Sequence, residues 1–414
     1  MVWEPVGSRM TGDGRRDANA AAVLRTVLDR GPVSRGAVAA ASGLSPAAVS
    51  RQCADLIALG LVRELPATAA AGGVGRPQTS LDLNTGESGG PLAAGVHIGV
   101  PLSTFGLMDL RGRVVHRRSL RHDGVGPDEL PARVADGLGR FLAEAGRGRP
   151  LLGVGCAVGG WVRPDDGTVV RHEALGWHGR PLAAELSRRT GLPVRLDNHA
   201  RAVAQSEILF GAPAARRSLV HLFVGNVVDA ALGIAGVVHQ GPGSAAGDVA
   251  HLPVPDSTVP CECGRLGCLQ AAASDTALAR MAVRRGIVPE PSTSLLVDAA
   301  AAGDGRADRL LRERARAVGR AVALLLDVLN PEVLLVTEQS SLLEPSYLEE
   351  IRGAAVDVSH VCQDPERIVS PYAGPAVLPV AGGTVLVNPL FSAPFSGLAG
   401  LLPTGRRTLT VRQF

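Results

Sequence analysis

Gly247-Asp248-Val249-Ala250-His251, followed ten residues later by Cys261-Glu262-Cys263-Gly264-Arg265-Leu266-Gly267-Cys268, is the densest chemical signal in the chain. Three of the six cysteines fall in this second stretch, separated by glycines that let the backbone turn sharply around a small object. Thiolates plus one imidazole are the donor set that tetrahedral zinc prefers, and four protein ligands with no open position make a structural site. His251, Cys261, Cys263 and Cys268 are therefore the expected ligands of a structural Zn2+. A chance cluster or a disulfide is the alternative, and nothing else in the sequence suggests an oxidising compartment.

Outward from that cluster, 414 residues are too many for one ordinary core and imply two or three domains. Hydrophobic residues make up 46% and charged residues 20%, the balance of a soluble globular protein. Aromatics are only 3%, so the cores must be built from Ala, Val and Leu. All 42 basic residues are arginine, and the formal net charge is +3. Residues 1–90 hold nine Arg against eight Asp and Glu, so a nucleic-acid role has to be argued from pattern rather than charge. Met1-Val2-Trp3-Glu4-Pro5 lacks the apolar run of a signal peptide. The apolar region from Ala373 to Leu402 is interrupted by Pro375, Pro379, Asn388, Pro389 and Pro394 and reads as a poor membrane span. Cys53, Cys156 and Cys362 are scattered, as reduced core cysteines would be. A cytoplasmic protein with no membrane partner is expected.

At the N-terminal end, Ala20, Val23, Leu24, Val27 and Leu28 recur at helical spacing, and Gly31-Pro32 ends that segment. Ser34 can cap a second helix over Arg35 to Ala41, and Ser42-Gly43-Leu44 makes a tight turn. Ser45 then caps a third helix that has Pro46 at its first position, where no amide hydrogen is needed. Val49, Cys53, Leu56 and Ile57 face inward. Two helices around a short glycine-containing turn form a helix-turn-helix, whose second helix enters the major groove. Ser45, Pro46, Ala47, Ser50 and Arg51 would then meet operator DNA, with Arg51 suited to a bidentate contact with guanine. Strand-like Leu61 to Leu65 and Thr79 to Leu83 flank Gly75-Arg76-Pro77 and read as a wing. Arg76 at its tip suits a narrow minor groove. A three-helix packing module without a DNA role is the plainer alternative. Gly86 to Pro91 reads as a linker.

Beyond residue 92 strands alternate with helices, the pattern of α/β layers with a ligand cleft at the strand ends. Strands are expected at Ala93–Val100, Ser103–Leu110, Leu151–Val158, Val194–Leu196, Ser218–Gly225 and Ala230–His239. Helices are expected at 128–145, 181–190, 199–210 and 307–329.

Leu192-Pro193-Val194 with Asn198, the run Gly247 to His251, and the cysteine cluster through Leu269-Gln270 together resemble the ROK family, which joins sugar kinases to transcriptional repressors. The resemblance covers nearly the whole chain and weakens after about residue 340. It implies a winged helix-turn-helix at 1–90 and a two-lobed body of the actin-like, hexokinase-like (ribonuclease H-like) ATPase fold. The lobes would span 91–208 and 209–414, with the zinc site in the second.

The resemblance also implies what a kinase member would need. Family kinases carry Asp-Ile-Gly-Gly-Thr at the first strand, and here the run is His97-Ile98-Gly99-Val100-Pro101, where Pro101 removes an amide donor. Their cleft holds an Asn-Asp pair, and here it is Asn198-His199. A glycine pair follows their late strand, and here Val336-Thr337-Glu338-Gln339 stands in its place. These three departures point away from phosphotransfer. The family's carbohydrate-holding positions correspond to Asn198, His199, Asp248, His251 and Gln270, a mix of donors and acceptors that suits vicinal hydroxyls. A sugar-responsive or small-metabolite-responsive DNA-binding repressor without kinase activity is expected, as a homodimer or dimer of dimers. A sugar kinase with a retained DNA-binding domain and a regulator controlled by a protein partner are the alternatives.

Overall fold

The computed structural model describes residues 14–66, 79–85, 89–254 and 257–401. The chain opens with α1 (Gly14–Arg30), β1 (Val33–Ser34), α2 (Arg35–Ser42), α3 (Pro46–Ala58), β2 (Val62–Glu64) and β3 (Ser80–Leu83). Both expected caps form: Ser34 Oγ accepts from the Ala37 N–H at 3.2 Å and Ser45 Oγ from the Ala48 N–H at 3.3 Å. Gly43 ends α2 at φ 70°, a left-handed conformation that costs a residue without Cβ little. Val23, Leu24, Val27, Val38, Val49, Cys53 and Leu56 close a small core. Ile57 is only half-buried against that core, while Gln52 is buried beside it. The strands pair antiparallel in the order β1-β3-β2, so the wing is in place at its base. Its tip, with Arg76, lies outside the described residues.

The first lobe follows with β4 (Leu92–Ile98), β5 (Leu102–Met108), β6 (Val114–Arg121), α4 (Leu130–Ala145) and β7 (Leu151–Val158). A small antiparallel sheet of β8 (Trp161–Arg163), β9 (Thr168–His172) and β10 (Trp177–Arg180) precedes α5 (Leu182–Thr190), β11 (Val194–Asn198) and α6 (His199–Phe210). The main sheet has the order β11-β7-β4-β5-β6, with β4, β7 and β11 parallel. Strands β4 and β7 are buried along their whole length, as expected for strands covered on both faces.

The second lobe contains β12 (Ser218–Val224), β13 (Val228–Ile234), β14 (Val237–Val238), α7 (Leu269–Ala273), α8 (Asp275–Arg284), α9 (Thr293–Ala301) and α10 (Gly305–Leu329). Next come β15 (Val333–Glu338), α11 (Gln339–Leu343), α12 (Pro345–Val356) and β16 (Ile368–Val369). Its sheet runs β14-β13-β12-β15-β16, so the two lobes share one plan: a five-stranded sheet flanked by helices.

The chain then returns to the first lobe through α13 (Val377–Ser392) and α14 (Pro394–Ala399). The prolines were expected to break this apolar region; Pro394 does separate α13 from α14, but Pro379 and Pro389 lie within α13. Pro379 sits in the first turn of α13, where no amide donor is needed, and Pro389 falls in its last turn. The helical stretch Gly374–Ser392 is long and apolar enough to cross a membrane, yet 67% of it is buried inside the protein, as in a core helix. Glycines make this burial possible. A Cβ on Gly155 would stand 2.0 Å from the Gly382 carbonyl oxygen, and one on Gly95 2.0 Å from that of Pro379.

Helix α1 of the N-terminal module packs against α13 and α14, and a single hydrophobic core runs from Val23 and Leu24 through Leu386, Leu390 and Phe395. Asp17 is 5% exposed and accepts hydrogen bonds from the Phe395 N–H at 2.7 Å and the Ser396 hydroxyl at 2.5 Å. Arg111 bridges Asp82 and the Leu28 carbonyl from the body side.

Candidate ligand cleft and metal cluster

Asn198 and His199 sit where β11 turns into α6, at the junction of the lobes. The Asn198 side chain caps α6, its Oδ1 accepting from the Ala200 N–H at 2.8 Å and the Arg201 N–H at 3.2 Å. Its Nδ2 donates to the Gly160 carbonyl at 2.7 Å and to Asp229 Oδ2 at 3.0 Å. An amide offers two donors and one carbonyl oxygen, so this side chain is fully engaged within the protein.

Asp229, the second residue of β13, is the buried carboxylate at the lobe junction that sequence reasoning missed. It reaches from the second lobe to Asn198, to the Gly160 N–H at 3.1 Å and to within 3.0 Å of His199 Nε2. Burial alone would raise its carboxyl, but the facing His199 ring, the Asn198 amide and the Gly160 N–H outweigh it and hold it below the ordinary value. His199 stacks on Phe223 with ring centroids 3.8 Å apart, and His97 Nε2 lies 3.4 Å from its Nδ1. His97 comes from the run that departs from the phosphate-cradling pattern. Asn226 adds another strut, its amide donating to the Val100 carbonyl while its Oδ1 accepts from the Thr276 hydroxyl at 2.6 Å.

The remaining expected ligand residues surround the same strand. Gln270 Oε1 accepts from the Val228 N–H at 2.9 Å, and its Nε2 donates to the Asn226 carbonyl at 2.7 Å. The Ala230 N–H donates to the Gly247 carbonyl at 2.8 Å. Asp229 thus stands between two residues pinned by the segments that carry Asp248 and Gln270. The Asp248 and His251 side chains themselves are open to solvent. Asn198, His199 and Gln270 are therefore bound up in the cleft framework, with Asp248 and His251 on the exposed loop beside it.

The position matching the family's late glycine pair holds a carboxylate. Glu338 caps α11, accepting from the Ser340 N–H at 3.1 Å and the Ser341 N–H at 2.7 Å. A helix N-terminus of this kind favours an anion, and here the anion is the protein's own. Arg314 donates to Glu338 at 2.8 Å and to Asp275 at 2.7 Å, with 1% of the Arg314 and Glu338 side chains exposed. The Arg314 charge outweighs the burial that would raise the Glu338 carboxyl, which is held below its ordinary value.

His251, Cys261, Cys263 and Cys268 come together as the spacing predicts, with one ligand atom from each lying within 4.8 Å of the others. Cys263 Sγ is 3.6 Å from Cys268 Sγ, and Cys261 Sγ is 3.7 Å from His251 Nδ1. All described cysteines are free thiols, so the disulfide alternative is not realised. Backbone turns hold the loop: the Cys261 N–H donates to the Arg265 carbonyl at 2.8 Å, and the Gly264 N–H to the Cys261 carbonyl at 2.9 Å. Separations near 3.7 Å between soft donors fit a tetrahedral divalent metal.

In the N-terminal module Ser45, Pro46, Ala47, Ser50 and Arg51 all lie exposed at the start of α3, as a reading helix requires.

Fold and site together define a winged helix-turn-helix docked on a two-lobed body of kinase type. The ROK family model matches residues 93–368. A transcriptional regulator of Mycobacterium bovis is 33% identical over 397 residues, covering 92% of this chain and 88% of its own length. The crystal structure of a ROK-family transcriptional regulator, a homologue of the Escherichia coli Mlc protein, superposes with a TM-score of 0.73 at 23% identity, covering 94% of this chain and 100% of that one. A ROK-family glucokinase from Streptomyces griseus superposes at 0.61 and 24% identity, covering 70% of this chain and 98% of that one. The chain belongs to the ROK family.

Proposed function

We propose that this ROK-family transcriptional regulator binds operator DNA as a repressor through α3 and the wing, and that it performs no phosphotransfer. The observation that carries the reading is the Arg314–Glu338 pair. A side-chain carboxylate occupies the helix N-terminus after the late strand, where a nucleotide would need open backbone. The head, by contrast, keeps both helix caps and an exposed reading face. A small sugar-like effector would act at the cleft of Asn198, His199, Asp248, His251 and Gln270, and the chain would work as a homodimer or dimer of dimers. Exposed Leu324, Val328, Val356 and Val358 lie where the C-terminal ends of α10 and α12 converge and give a second copy an apolar surface. A structural zinc ion held by His251, Cys261, Cys263 and Cys268 would tie the loop beside the cleft. A cytoplasmic location follows from an operator-binding role.

The test is binding to the protein's own upstream region against random DNA over a salt series. A specific complex is expected, weakening steeply as salt rises. Arg51→Ala should lose roughly 10- to 100-fold in operator affinity, the range for one bidentate contact to a base. Absence of any sequence preference would overturn the reading. ADP release across a panel of hexoses and amino sugars should stay at background, and turnover on any of them would restore the kinase alternative. For the metal, elemental analysis should find one zinc per chain, and Cys268→Ala should find none.

A second reading has its own support. Every hydrogen-bonding position of Asn198 is taken within the protein, which favours control by a protein partner over a sugar. A thermal-shift series separates the two, because a sugar at 100 times its dissociation constant stabilises by about 2.7 kcal/mol.

A further inference from the structure

Asn198 and His199 are more than cleft residues, because both elements that meet there lead to the DNA-binding head, α6 directly and β11 through α14. Backward along β11, Arg195 Nη2 donates to the Gly397 carbonyl of α14 at 3.4 Å. The first N–H groups of α14 are in turn held by Asp17, near the start of α1. Forward along α6, the Leu209 carbonyl accepts from Arg25 Nη1 at 2.9 Å. Beyond α6, Arg216 donates to the Ile208 carbonyl at 3.1 Å and grips Asp29 with two hydrogen bonds of 2.8 Å. Helix α1 is held at Asp17 and at the Arg25–Asp29 turn, roughly 12 Å or more apart along its axis. Both of these points lead back to the same dipeptide, while Arg111 on the Leu28 carbonyl and the apolar packing on α13 hold α1 to the body independently.

The connecting parts are stiff. His199 through Ala204 and Ser206 through Leu209 are buried within α6, and β11 is paired along its whole length to β7. Packed elements of this kind shift as bodies rather than deform. The second lobe touches the junction through the Asp229 carboxylate on Asn198, through Phe223 stacked on His199 and through His221 on the Ala200 carbonyl, with Asn226 bonded across the cleft to Val100.

We propose that Asp229 sets the orientation of the DNA-binding head, with Arg195, Arg25 and Arg216 as the positioning residues that carry its contact with Asn198 along β11 and α6 to the two ends of α1. The inference deepens the regulatory reading above and supplies its mechanical route. Any effector or partner that displaces Asp229 from Asn198 would tilt α1, and α3 with it.

Hydrogen–deuterium exchange on the full chain, without DNA or effector, tests the route independently of the operator-binding reading. Asp229→Ala should raise exchange at the start of α6 and, about tenfold, along α1. The triple variant Arg25→Ala/Arg195→Ala/Arg216→Ala, which cuts both branches, should raise exchange in α1, and adding Asp229→Ala to it should change α1 little further. Faster exchange in α6 with α1 unchanged would overturn the proposal, as would full additivity in α1. Should Asp229→Ala fail to fold by circular dichroism, Asp229→Asn keeps the side-chain volume while removing the carboxylate that Asn198 and His199 face, and the same two outcomes decide. Loss of operator preference in the wild-type protein would leave this result standing.

Discussion

Acidification from pH 7 to pH 4.5 should remove on the order of 8 kcal/mol of stability through three buried histidines. Burial pushes His97 down to about 3, His221 to about 3 and His172 to about 4, with the neighbouring His199 ring adding to the shift at each. Their hydrogen bonds suit the neutral ring. His221 donates from Nδ1 to the Ala200 carbonyl at 2.8 Å and accepts at Nε2 from the Thr337 hydroxyl at 2.9 Å. His172 Nδ1 accepts from the Leu175 N–H at 3.2 Å. In the unfolded chain each ring takes up its proton near pH 6.5, so below that pH the unfolded state binds more protons and stability falls with pH. Above about pH 6.5 the rings are neutral in both states and contribute no slope. Each ring costs about 1.4 kcal/mol per pH unit across the window, down to its folded value. Asp109, Glu207 and Asp275, all held above the usual carboxylate value by burial, act in the opposite sense once they begin to take up protons. Thermal melts across pH 7 to 4.5 should show a steep decline, and His172→Gln should flatten it by about one third. A melting temperature constant over that range would refute the assignment of these rings as neutral.

Those histidines also mark where the sequence stops being readable. The head was legible because its signals are local: Ser34 and Ser45 cap their own helices, and Gly43 turns the chain between them. The cysteine cluster was legible for the same reason, since its ligands fall within one loop. Asn198-His199 could be placed at the start of α6 because a helix was expected from His199 and the family resemblance sets this pair before it. Asp229 could not, because its partners Asn198 and Gly160 are 31 and 69 residues away. Only the pairing of the lobes brings them together. Helix α13 failed for a different reason. It is apolar on all sides, so it lacks the polar stripe that announces a helix, and its prolines read as breaks. Gly95 and Gly155, which fall inside expected strands, and Gly382 are the close-approach points that let it dock, a role no local pattern announces. Several short strands went unread, among them β8, β9 and β10, which have too few residues to show an alternation.

Arg314→Leu should destabilise the second lobe by roughly 3–5 kcal/mol, the cost of leaving buried charge without its partner. The guanidinium binds four groups at once: the Ala273 carbonyl at 2.8 Å, Glu338 at 2.8 Å, the Val224 carbonyl at 3.3 Å and Asp275 at 2.7 Å. It therefore joins α7, α8 and the C-terminal ends of β12 and β15. Lysine has one ammonium and cannot reproduce that fork, so Arg314→Lys should recover only part of the loss. Glu338→Gln should cost less than Arg314→Leu, because the single amide oxygen still accepts from one of the two capped N–H groups while Asp275 keeps the arginine paired. The decisive comparison is the triple change Arg314→Leu/Glu338→Gln/Asp275→Asn. If the penalty of Arg314→Leu comes from two stranded carboxylates, neutralising both should return most of the stability in urea melts. If it comes from lost packing, the triple variant should be no better than the single one. Recovery would also bear on phosphotransfer: it would mean that the network acts as a filled anion site whose charges need only one another, with no nucleotide required to balance them.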